Sequence, residues 1–240
     1  MLLIHQLAVY LHIAGGVMAL MLFWIPVFAR KGSFQHKRIG RWFALLMYTV
    51  GTSGVLLSTL DLLMPDRFHA GIAEAAVRDR ATFLLSLSLL VLVTTRHGWL
   101  TVTHKDNREP LKHPLQLALV GLLLINGAGL LVLGLTQGNA VYIFFGGLEI
   151  MLSSGLLRYT FKKTTLPREW WTEHLGGLIA SGIGAYTAFF VVGAASLLGP
   201  LFSQMPSLQL LVWVGPGVVG GIAIAMLSRH YRRKFAAVQR

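Results

Sequence analysis

Long apolar runs separated by short polar stretches make up almost the whole chain. A bilayer core about 30 Å thick needs roughly 20 helical residues to cross it. Runs of that length lie near 6–29, 42–63, 80–103, 114–136, 140–161, 172–198 and 208–228. They are continuous rather than alternating, so they are not the strands of a transmembrane barrel. The pattern predicts an all-α, polytopic transmembrane bundle of seven spans, with residues 1–240 forming one transmembrane domain.

The polar connections predict orientation. Arg30, Lys31, Lys37, Arg38 and Arg41 separate the first two runs; Lys105, Arg108 and Lys112 follow the third. Lys162, Lys163 and Arg168 follow the fifth, and Arg229, Arg232, Arg233, Lys234 and Arg240 lie in the tail. Connections 137–140 and 200–207 carry no charge, and 64–79 is mixed. Basic residues collect on the cytoplasmic side, so the N-terminus is expected outside and the C-terminus in the cytoplasm. In the mixed connection, Pro65 should end the second span and 71–78 should form a short surface helix.

Composition agrees. The chain is 55% hydrophobic and 12% charged, with a mean hydropathy of +0.64. A soluble domain carries about 25% charged residues, roughly twice as many. The net charge of +12 sits in the connections as topology signals and does not imply nucleic acid. The lipid bilayer is the expected partner, and small-residue stripes leave a homo-oligomer open. Without cysteine there is no disulfide, thiolate ligand or thiol nucleophile. The first run lacks a basic leader and is too long for a signal peptide, so it should remain as the first span.

Small residues predict which helix faces meet. In 170–190, His174 shares a face with Gly177, Ser181 and Ala185, and Gly176, Ala180, Gly184 and Ala188 form a neighbouring stripe. Such stripes let helices approach closely in a membrane. His12 similarly shares a face with His5, Ala8, Gly16 and Ala19. Pro26 and Pro216 interrupt the hydrogen-bond ladder of their runs.

Ionisable groups inside spans are costly and are candidates for function. Counting the helical rise from the cytoplasmic ends puts Glu149 and Asn126 both roughly 18 Å deep, Tyr186 at about 21 Å and His12 at about 25 Å. A second layer holds His97 at about 9 Å, Arg158 at about 5 Å, and Glu173 with His174 at about 2–3 Å, with the 31–41 loop expected to supply His36. A carboxylate as deep as Glu149 must be protonated or matched to a cation, a histidine or Asn126. His5, His69, His104 and His113 are expected to be solvated. His12, His36, His97 and His174 are candidate ligands for haem or a divalent metal; Glu149, Asn126, Tyr186, Glu173 and Arg158 are candidates for proton or ligand handling. The zinc-protease pair, the serine elbow and the phosphate loop are all absent.

Leu11-His12-Ile13-Ala14-Gly15-Gly16 with Ala19-Leu20 resembles the first span of a family of bacterial integral-membrane proteins of unknown function. His36-Lys37-Arg38-Ile39-Gly40-Arg41-Trp42-Phe43 resembles its basic loop, with Trp-Phe where Tyr or Phe is usual. His174 through Thr187-Ala188-Phe189 resembles its late His-led span. The similarity covers spans one, two and six. It implies membership, a multi-pass location in the bacterial plasma membrane, and weight on His12, His36 and His174; it implies no reaction. The residues point first to a redox- or metal/haem-associated membrane protein; the alternatives are a small proton-coupled transporter and a structural or sensory bundle whose polar residues only join helices.

Overall fold

The computed structural model describes residues 2–193, 199, 201 and 204–237. The described residues are all-α, without a strand. The long helices are α1 (Leu2–Phe28), α2 (Phe34–Leu63), α4 (Glu74–His104), α5 (Pro114–Gln137), α6 (Ala140–Phe161), α7 (Glu169–Ala188) and α8 (Pro206–Ala237). A one-turn helix, α3 (Pro65–Phe68), follows α2; a 3₁₀ turn spans Glu109–Lys112 and a π-helical turn, Phe189–Gly193, extends α7. Residues 194–198 of the predicted sixth span lie outside the described set.

Six of these helices are long and apolar enough to cross a membrane, and the chain is a multi-pass membrane protein. Their outward residues are large and apolar, as in Tyr10, Met21, Ile125 and Val219, each about 70% exposed. Lipid is the solvent in which such surfaces are stable. α4 is not among the six. It opens with Glu74, Arg78, Asp79 and Arg80 and carries Arg96 and His97 further on. It is also heavily buried, at Val77, Ala81, Phe83, Leu87, Leu90, Val93, Thr94, Thr95, His97 and Thr101. A helix lined by protein does not need the uniform apolarity of one lined by lipid.

Local chemistry sets the helix ends. Ser33 Oγ accepts from the His36 backbone N–H, so α2 begins eight residues before the predicted span and residues 34–41 are helix rather than loop. The expected separate surface helix over 71–78 is not formed. Instead Glu74 starts a helix that continues without a break to His104, because no proline or glycine interrupts 74–97. Pro65 ends α2 as expected and opens α3. Gly138, with φ 67°, closes α5, and Asn139 Oδ1 caps the next helix by accepting from Val141 and Tyr142 N–H at 3.1 and 3.2 Å.

The chain divides into two compact units, Met1–Leu92 and Val93–Arg240, with the boundary inside α4. In the first, α1 lies on α2 through Ala8, Gly15, Ala19 and Phe23, with Phe23 and Phe43 rings 5.6 Å apart. Gly15 faces Val50, 3.6 Å from a Cβ built there, whereas a Cβ on Gly16, predicted to share the inward face of His12, would meet nothing within 4 Å. α5 and α6 form a hairpin at backbone contact: a Cβ on Gly146 would lie 2.5 Å from Leu131 N, and one on Gly127 2.7 Å from Glu149 Cβ. α8 packs on α7, with Trp171 against Tyr231 at 3.9 Å between centroids.

Candidate functional site

In the second unit, glycines bring polar residues together. Gly127 leaves room for Glu149 on the facing helix. Glu149 is fully buried, and Asn126 Nδ2 donates to its Oε2 at 2.8 Å. The equal depth predicted for these two residues is thus a direct contact. One turn further along the same face of α6 lies Ser153, also fully buried, whose hydroxyl has no hydrogen-bond partner among the described residues. Thr160 and Tyr159 continue the buried side of α6. Arg108 donates to the Tyr159 carbonyl at 2.8 Å, with its guanidinium 5.8 Å from the ring centroid.

The second group is held where α4 crosses α7. A Cβ on Gly177 would lie 2.7 Å from the Thr94 carbonyl, and one on Gly98 3.0 Å from Leu178 N. His97, fully buried, donates from Nε2 to Glu173 Oε2 at 3.2 Å. Its Nδ1 is buried without a hydrogen-bond partner among the described residues, and its ring meets Tyr159 edge-on at 5.8 Å. His174 Nδ1 donates to the Gly98 carbonyl at 3.0 Å. Gly177, Ser181 and Ala185 are buried as the stripe predicted. Arg158 is exposed in the last turn of α6, so Arg108 rather than Arg158 is the cation set against Tyr159. Tyr186 rests near Phe190, with centroids 6.4 Å apart.

The two remaining histidine candidates belong to the first unit. His12 Nδ1 donates to Ser53 Oγ at 2.9 Å, since the Ser53 hydroxyl itself donates to the Thr49 carbonyl at 2.6 Å. Gly54 admits this pair: a Cβ there would sit 3.3 Å from His12 Cε1 and would clash with Ser88. His36 Nδ1 donates to the Pro26 carbonyl at 3.0 Å, and Lys31 Nζ donates to Pro26 and Val27 carbonyls at 2.8 and 2.6 Å. Both therefore close the end of α1, where a helix leaves carbonyls unpaired and favours cations. Burial lowers the pKa of Lys31 below the usual lysine value.

A haem between His97 and His174 needs a gap as wide as a macrocycle, but α4 and α7 touch through backbone at Gly98 and Gly177. That pair does not fit haem. Nor do His97, His174 and Glu173 draw three ligand atoms together. Among the described residues the group that does is His5, Asp61 and His69. The expectation that His5 and His69 are solvated is therefore corrected: their side chains are 15% and 21% exposed and face a largely buried Asp61.

Sequence reasoning missed other contacts as well. Glu169, 6% exposed, accepts from Lys162 at both oxygens and from the Leu166 N–H, closing the 162–169 connection. Lys162 had only looked like a topology signal. Gln116 is buried with neither amide atom bonded among the described residues; an isolated glutamine near a helix start gave no sign of this. No family model matches this chain, no curated protein matches it and no solved structure matches it.

Proposed function

We propose that this protein crosses the bilayer seven times, with α4 as the third span, the N-terminus outside and the C-terminus in the cytoplasm, and that its second unit handles protons. The burial of α4 supports its inclusion despite its polar residues. Phe34, Arg38, Arg41 and Trp42 line one groove, and Arg229, His230 and Arg233 another. Basic and aromatic residues of this kind suit a cytoplasmic headgroup layer. The resemblance to an uncharacterised bacterial membrane family supports a plasma-membrane location within this reading.

The observation that carries the proton reading is the buried face of α6. Glu149, paired with Asn126, stands one turn from an unpartnered Ser153 hydroxyl on a side that continues to Tyr159 and Thr160. Buried polar groups are almost always satisfied, and water is the usual partner where protein supplies none. The orphaned Nδ1 of His97, bonded through Nε2 to Glu173, adds a second exchangeable group beside Tyr159. Carboxylate, hydroxyl, water and imidazole are the components of intramembrane proton relays. This favours proton coupling over a haem-based redox role.

Proteoliposomes loaded with a pH-sensitive dye test it. Wild-type protein should acidify the lumen when an inward proton gradient or an inside-negative potential is imposed. Glu149→Gln should abolish the flux and His97→Gln should slow it. Undiminished flux in folded Glu149→Gln protein, or wild-type flux no greater than that of empty liposomes, would refute the reading.

A further inference from the structure

The first unit gathers metal-ligating atoms at one point. We infer that His5, Asp61 and His69 form a binding site for a divalent transition-metal ion of the zinc type. His5 comes from the first turns of α1, Asp61 from the last turn of α2, and His69 from the residue that ends α3. Their ligand atoms all lie within 4.8 Å of one another.

The geometry is that of ligands around a shared centre. His69 Nε2 lies 3.0 Å from Asp61 Oδ1, and His5 Nε2 lies 3.4 Å from the same oxygen. Yet Oδ1, on a residue only 8% exposed, has no hydrogen-bond partner among the described residues: the nitrogens are near but do not point at it. Atoms that are close yet not directed at one another are what a coordination sphere contains. Zinc bonds of about 2.0–2.2 Å to nitrogen and oxygen put neighbouring ligands about 2.9–3.5 Å apart, between octahedral and tetrahedral arrangements. Both distances fall in that interval.

The surroundings hold the ligands in place. The His5 ring stacks on Phe68 at 4.2 Å with planes 10° apart, and it meets His69 edge-on at 6.4 Å. Phe68 and His69 are adjacent, so α3 and its cap position both imidazoles. Two neutral imidazoles and one carboxylate suit zinc, iron(II) or manganese better than calcium or magnesium, which prefer oxygen alone. Three protein ligands leave further positions open to water or substrate. Arg80 opposes the ion: its Nη2 lies 3.4 and 3.5 Å from the two ring nitrogens of His69. The guanidinium must swing away from His69 when the ion is bound.

The test uses the full chain, purified in detergent without a histidine tag, stripped with chelator and titrated with Co²⁺ and then Zn²⁺. We expect one Co²⁺ per chain, a visible ligand-field spectrum with nitrogen coordination, and displacement by Zn²⁺. His69→Gln and Asp61→Asn should each weaken binding at least about tenfold, as even outer-shell changes weaken metal sites by 10–100-fold. The double variant His5→Gln/His69→Gln should not bind, whereas His104→Gln/His113→Gln should bind as wild type does. Arg80→Gln removes a cation and no ligand, so it should bind at least as tightly, and it keeps the test open if a ligand variant misfolds. Substoichiometric binding, wild-type affinity in the His5/His69 double variant, or loss of binding in Arg80→Gln would overturn the assignment. None of these outcomes depends on proton flux.

Discussion

The two histidine–carboxylate groups among the described residues are built in opposite ways. His97 and Glu173 lie where two long helices touch through glycine, and the imidazole is fully buried and points at its partner. His5, Asp61 and His69 lie at helix ends, on a short turn, with side chains 12–21% exposed that stand beside one another. The first arrangement closes the space between its partners, leaving room for a proton but not an ion. The second sets two imidazoles beside one carboxylate oxygen, at 3.0 and 3.4 Å, without a hydrogen bond to it. The residue types are the same; the distance between backbones and the support beneath the rings decide which chemistry each can perform.

The largest effects should come from the glycines that enforce closure. A side chain on Gly146 would strike Leu131 N and the Gly127 carbonyl, and one on Gly177 would strike the Thr94 carbonyl and Gly98. Backbone cannot yield as a flexible side chain can. Gly146→Leu and Gly177→Leu should each destabilise the protein by about 3 kcal/mol or more, since overpacking commonly costs 1–3 kcal/mol where side chains can shift. The expected outcome is loss of monodisperse protein in detergent. Wild-type thermal stability in Gly177→Leu would mean that α4 and α7 are not held in contact, and the case against a macrocycle between them would fall with it.

Next is metal removal, which should affect only the open group. An ion that binds the folded form alone stabilises it by about 2.7 kcal/mol at a hundredfold excess over Kd. Zinc should therefore raise the thermal midpoint of wild-type protein, chelator should reverse the rise, and neither should move the His5→Gln/His69→Gln variant. Equal zinc stabilisation in His97→Gln and wild type would sharpen the contrast. Loss of the zinc effect in His97→Gln would break it.

How far this was legible in the sequence varies with the kind of signal. The all-α class and the six apolar helices were readable because apolar runs of bilayer length report burial in lipid directly, whereas the starts of α2 and α4 were not. The Glu149–Asn126 contact was readable because helical rise fixes depth, and two polar residues at one depth in adjacent helices tend to meet. The Gly177–Ser181–Ala185 face was readable from spacing. The His5–Asp61–His69 group was not: its members are 8 and 56 residues apart in sequence, and they meet through a one-turn helix whose path follows from Pro65 and not from periodicity. His36 was legible as a residue but not in its role. Its bond to the Pro26 carbonyl depends on Ser33 starting α2 early, a capping detail within a segment read as a loop.

A smaller effect belongs to Asn126. Asn126→Leu removes a donor from a buried carboxylate, and leaving a buried polar group short of a partner costs about 1–3 kcal/mol. Asn126→Asp costs more if Glu149 is ionised, because it places like charges together. Thermal midpoints of the two variants across pH should diverge as pH rises. Parallel curves would show that Glu149 does not exchange a proton in this range, which removes the main support for the relay.

The smallest effect comes from two adjacent glycines that the sequence treats alike. Gly176 and Gly177 each head a stripe of small residues on α7. A Cβ on Gly176 would meet only Ile224 Cγ2, at an ordinary 3.6 Å, whereas one on Gly177 would lie 2.7 Å from a carbonyl. Alanine is favoured over glycine in a helix by about 1 kcal/mol, and it narrows the unfolded ensemble. Gly176→Ala should therefore leave stability unchanged or raise it by up to about 1 kcal/mol, while Gly177→Ala lowers it. Thermal unfolding of the two variants side by side decides the matter. Destabilisation of similar size in both would mean that α7 presents Gly176 to a tight contact as well, and the closed, one-sided crossing that distinguishes His97–Glu173 from the open group would have to be redrawn.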